Sequence, residues 1–139
     1  IRQCMDAGVI VVAAMGERSN QPIFPAANAG VIAVGAVNPH DRPIKGSNAG
    51  PHAFIAAPGE GIRVVQDANS YERKDGTSYA TAFVSAAVWL ALRNSMLLDQ
   101  EMMRELLKFS VQPFRRPEDA ARVGFGILDL ELLAANVGV

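Results

Sequence analysis

Two runs of small and β-branched apolar residues, Val9–Ala14 and Val31–Val37, and one long apolar run, Tyr79–Leu92, predict an α/β fold. The two short runs lack polar alternation, which fits strands covered on both faces, as in a mainly parallel sheet. Tyr79–Leu92 is too long for a strand, has no internal Gly or Pro, and follows a glycine turn. It therefore fits a helix.

In chain order, Ile1–Ala7 can close a helix with Gly8 as its left-handed terminating residue. Val9–Ala14 follows as the first strand and ends in the polar loop Met15-Gly16-Glu17-Arg18-Ser19-Asn20. That loop lies at a strand C-terminus, the edge where open α/β sheets bind ligands. Gln21–Ala27 is a proline-punctuated connector expected to be extended, and Val31–Val37 is a second buried strand. Asn38–Pro43 and Ser47–Pro51 are rich in turn formers, and Ala53–Ala57 is a short third strand closed by Pro58-Gly59. Ile62–Val65 can pair as a further short strand. After the long helix, Asp99 suits an N-cap, with Met103, Leu106, Leu107 and Ser110 on one helical stripe. Phe114–Pro117 ends the regular pattern. Val123–Leu128 is expected as a glycine-interrupted strand, and Asp129 as the cap of a last helix running to Ala135.

The 139 residues suffice for one domain with a core, and a net charge of −1 with no basic run argues against nucleic acid as the main partner. The longest apolar stretch, Ala80–Leu92, contains Thr81 and Ser85 and is too short to span a bilayer, so no membrane partner is expected. A single cysteine, Cys4, excludes an intrachain disulfide. The chain starts at Ile1 without a signal-peptide pattern, and its opening resembles the middle of a helix. A fragment, a processed product or an excised domain is the expectation.

The chemistry concentrates at Asp75-Gly76-Thr77-Ser78-Tyr79. A hydroxyl in the first turn of a helix meets unpaired N–H groups and the positive end of the helix dipole. An oxyanion is stabilised there, which suits Ser78 as a nucleophile. Asp75 is expected to cap the same helix.

Several segments resemble the C-terminal half of a subtilisin-like serine protease, or subtilase. Gly76-Thr77-Ser78-Tyr79-Ala80-Thr81 is similar to that family's nucleophile motif, and Val11–Gly16 to its oxyanion strand and loop. Phe24-Pro25-Ala26-Ala27 with Val31–Val37, Ala56-Ala57-Pro58-Gly59 and Gly124–Asp129 resemble further family segments, in the family's order. The resemblance implies a subtilisin-like three-layer α/β fold with a mainly parallel sheet, of which residues 1–139 form the C-terminal portion. It implies peptide-bond hydrolysis through a Ser-His-Asp triad, with Ser78 as nucleophile and its own N–H as one oxyanion donor. Ala13, Ala14 and Gly16 would line the pocket for the residue before the scissile bond. Gly76 and Thr77 would border the substrate. An extracellular or secreted location is likewise implied only by the resemblance.

Three departures from the family pattern matter. The family's triad aspartate and histidine lie N-terminal to everything in this chain, and His40 and His52 stand in turns unlike the histidine motif. Glu17 replaces the amide-bearing asparagine of the oxyanion loop, and an ionised carboxylate only accepts hydrogen bonds. Either Glu17 is held protonated and donates, which the adjacent Arg18 opposes, or it turns away and other groups serve. Ala82-Phe83 replaces a proline-histidine pair, which favours the helix.

Two functions follow. One is a serine endopeptidase whose base comes from outside the chain; the other is a catalytically impaired subtilase-like domain that binds peptides or serves in assembly. The expected partners are a peptide or protein substrate and either the N-terminal part of the same domain or another copy of the chain. No cofactor and no metal are expected, since Arg18–Gln21 offers no cluster of calcium ligands.

Overall fold

The apolar runs become neighbouring parallel strands. In the computed structural model, which describes residues 1–19, 21–94 and 98–138, a five-stranded sheet carries β1 (Val12–Ala14), β2 (Ile32–Val37), β3 (Ile55–Pro58), β7 (Ile127–Leu128) and β6 (Val111–Gln112), in that order. The first three pairs are parallel, with Ala13 opposite Ala33 and Ala36 opposite Ala57; β6 alone runs antiparallel, against β7. Every residue of β2 is buried, as its unbroken apolar run requires.

Helices cover both faces. The long helix α2 (Thr77–Asn94) packs on β1, β2 and β3, with α5 (Leu130–Val137) beside it. Its buried stripe of Ala80, Val84, Ala87, Val88 and Ala91 repeats at helical spacing, and α3 (Gln100–Lys108) joins this core through Met103 and Leu107. On the opposite face Val123, at the end of α4 (Pro117–Val123), covers Gly35 and packs with Val37 and Ala56. The layers are therefore helix, sheet, helix.

Helix ends follow the sequence signals. Asp99 accepts the Met102 N–H at 2.8 Å, and Asp129 accepts those of Glu131 and Leu132, each at 2.9 Å. The opening helix α1 (Arg2–Asp6) stops at Ala7, and Gly8 follows at φ +80°.

Three expectations are corrected. The strand expected over Val9–Ala14 shortens to Val12–Ala14, because the Val9 N–H returns to the Cys4 carbonyl and the buried Gln100 amide takes the Val11 N–H at 2.7 Å. β1 is an outer strand of this sheet, and its Val12 and Ala14 are only partly covered. The Gln21–Ala27 connector is turned, not extended: Ala27 bonds back to Ile23, and the backbone and side chain of Asn28 both bond to the Pro25 carbonyl. Ile62–Val65 does pair as expected, as part of β4 (Ile62–Asp67) in a separate hairpin with β5 (Ser70–Lys74) that leads directly into the serine turn. The strand expected over Val123–Leu128 is only Ile127–Leu128, since Val123 ends helix α4. Pro117 at the first helical position with Glu118 and Asp119 in the first turn is the signal for that helix. Asn20, the end of the expected polar loop, lies outside the described residues.

Candidate active site

The parallel strands β1, β2 and β3 end on one edge of the sheet, and two segments meet there. One is the loop Met15–Ser19 after β1; the other is the turn Asp75–Ser78 that opens α2. The turn is seated on the end of β3. Gly76 N–H donates to the Gly59 carbonyl at 2.8 Å, and Gly59 N–H donates to Val37 at 2.9 Å. A Cβ on Gly59 would lie 2.5 Å from Ala36 Cβ and 2.8 Å from the Gly76 carbonyl oxygen, so only glycine permits this approach.

The loop is fixed from below and from the side. Gly16 turns the chain at φ +79°, and Arg18 follows at φ +62° with its N–H on the Gly46 carbonyl at 2.8 Å. The buried Asn48 side chain donates to the Met15 carbonyl at 2.9 Å and accepts the Ser19 N–H at 2.8 Å. Its role escapes sequence reading, because Ser47-Asn48-Ala49-Gly50 is an ordinary turn composition.

Two hydrogen bonds join loop and turn. Gly16 N–H donates to Thr77 Oγ1 at 3.0 Å, and the Thr77 N–H donates to Glu17 Oε1. Thr77 is fully buried, and its carbonyl accepts the Thr81 hydroxyl at 2.7 Å. Glu17 is half-buried and Ser78 is exposed. Among the described residues, neither the hydroxyl nor the N–H of Ser78 has a hydrogen-bond partner, so both are open to a ligand. Glu17 does the capping expected of Asp75. The Asp75 carboxylate instead accepts the Gly61 N–H at 2.7 Å, tying the β4–β5 hairpin to the turn.

The expected wall residues lie beside this junction with different exposures. Ala13 is packed in the core, Ala14 and Gly16 are half-exposed, and Gly76 is buried with Glu17 Oε1 beside it. The histidines are elsewhere. His40 sits in the turn after β2, its N–H on Asn38 Oδ1 at 2.9 Å, and His52 packs on Gly50 ahead of β3. Neither shares a hydrogen bond with Ser78.

The fold thus sets an exposed serine at a helix N-terminus against the loop that follows β1 in a parallel-sheet α/β chain. The chain belongs to the subtilase family, whose profile matches residues 1–126. It is 29% identical over 143 residues to subtilisin DY of Bacillus licheniformis, covering 96% of this chain and 51% of that protein. Among solved structures, the patellamide maturation protease PatA is 34% identical at a TM-score of 0.83, with 99% of this chain covering 54% of it. The prenylagaramide maturation protease PagA is 27% identical at a TM-score of 0.84, with 98% of this chain covering 53% of it. The chain thus spans about half the length of these relatives.

Proposed function

We propose that this chain supplies the nucleophile of a serine-type endopeptidase. Ser78 attacks the scissile carbonyl, its own N–H is one oxyanion donor, and Ala14 and Gly16 border the bound peptide, with the buried Ala13, Gly76 and Thr77 behind them. The observation that carries this reading is the open hydroxyl and N–H of Ser78 in the first turn of α2, held against the Gly16–Glu17 loop by Thr77. A histidine base and its aspartate partner come from polypeptide outside residues 1–139, since a serine hydroxyl needs a base at neutral pH. The substrate is a peptide or protein, and the maturation-protease names of two neighbours make a peptide precursor the first substrate class to assay.

A second reading has its own observation. Glu17 places a carboxylate on the helix N-terminus that an oxyanion would use, which favours a peptide-binding or assembly domain with impaired catalysis. A peptide-cleavage assay on the intact protein and its Ser78→Ala variant separates the two. Cleavage abolished by the substitution selects the peptidase, whereas saturable peptide binding without cleavage in either protein selects the binding domain.

A further inference from the structure

Glu17 has two oxygens in different situations. Oε1 receives the Thr77 N–H and lies 3.4 Å from where a Cβ on Gly76 would stand, while Oε2 has no hydrogen-bond partner among the described residues. The N–H of Ser78, the residue after Thr77, is open. An ionised carboxylate at this place sets negative charge against the charge that develops on a scissile carbonyl. The neutral acid keeps Oε1 as the acceptor for Thr77 and gains an O–H donor on Oε2.

We propose that Glu17 is the second oxyanion donor and acts as the neutral carboxylic acid, so that the site hydrolyses peptide bonds on the acid side of neutrality. This rests on Ser78 being the nucleophile. In the acylation step Ser78 Oγ bonds to the carbonyl carbon, the carbonyl π pair moves onto its oxygen, and the hydroxyl proton passes to the histidine base. Glu17 transfers no proton. It lends its O–H as a hydrogen bond while the oxyanion exists and keeps its proton when the carbonyl re-forms.

Glu17 is faced by its own loop, the segment Lys45–Asn48 and the serine turn. From its own loop, Arg18 turns its side chain toward Gly46; from the facing segment come the exposed Lys45 and the uncharged Ser47 and Asn48. From the serine turn, Asp75 is engaged with Gly61, and Tyr79 packs beside Gly76. No lysine or arginine forms an ion pair with Glu17 among the described residues. A developing oxyanion there is stabilised by the neutral acid and opposed by the carboxylate.

The test is the pH profile of kcat/KM for the intact protein and its Glu17→Gln variant, from about pH 4 to about pH 9, with serine-probe labelling followed in parallel. An amide supplies a donor without titrating. The ratio of wild-type to glutamine-variant activity is expected to fall as pH rises, by about tenfold per unit beyond ionisation of the acid, since the histidine base titrates alike in both. At neutral pH the variant should exceed wild type by about 10²-fold, the scale set by removing one oxyanion donor from a subtilisin. Undiminished wild-type activity at alkaline pH overturns the proposal, even if the variant does not fold. So does a folded variant that is inactive at every pH. Labelling of Ser78 with identical profiles overturns this inference alone, and absence of labelling at any pH overturns the nucleophile reading with it.

Discussion

Glu17 Oε1 accepts the backbone N–H of Thr77, the residue that precedes Ser78. One side chain on the loop after β1 therefore caps the helix that carries the serine. Glu17→Ala leaves that N–H without its partner, and the expected loss is about 0.5–2 kcal/mol, the usual value of a helix cap. Denaturant unfolding of the intact protein measures it, and a change within error would show that water replaces the bond at no cost.

Gly59 is the seat of the serine turn. Its missing Cβ makes room for Ala36 and the Gly76 carbonyl, so Gly59→Ala overpacks the end of β3 and is expected to cost about 1–3 kcal/mol. The strain falls on Gly76, two residues before Ser78, so activity should drop further than melting temperature implies. Equal activity at temperatures where both proteins stay folded would contradict this placement of the turn.

Asp129 gives a pH-dependent contribution. Hydrogen bonds from the Leu132 backbone and then the Gln112 side chain hold its carboxyl below the usual carboxylate range. A group whose folded value is depressed contributes stability above its unfolded value, near about 3.9, and loses it as pH falls through the folded value. The stability difference between wild type and Asp129→Asn should thus be constant from neutrality down to about pH 4 and shrink below it. Equilibrium melts at several pH values check the sign; a difference that grows on acidification would reverse it.

The central elements were legible because their patterns admit few alternatives. Val31–Val37 has no polar residue to place on a wet face, and Tyr79–Leu92 has no breaker, so both form as expected within one or two residues. Asp99 and Asp129 announce their helices. Less was legible where tertiary partners decide. Val9–Val11 is as apolar as a strand, but Gln100, distant in sequence, takes the Val11 N–H and its carbonyl. β5 is a charged strand whose partner β4 lies outside the main sheet, so its sequence carries little apolar signal. At the site, the place of Ser78 followed from its turn. The partner of Glu17 did not, because nothing local joins residue 17 to residue 77.

The outer face of α2 is apolar beyond what solvent favours. Phe83 is 41% exposed, Trp89 58% and Leu90 44%, while β1 offers an outer strand edge. Residues 1–139 alone are expected to self-associate at micromolar concentration or to melt without a sharp transition. Light scattering together with thermal unfolding tests this, and a monomer with sharp two-state melting would contradict it.

The central claim is that Ser78 is a nucleophile. Treating the intact protein with a serine-directed fluorophosphonate and mapping the adduct by peptide mass spectrometry tests it most directly. The account predicts phosphonylation at Ser78 that disappears in Ser78→Ala. An adduct on another residue, or none at any pH, would contradict it.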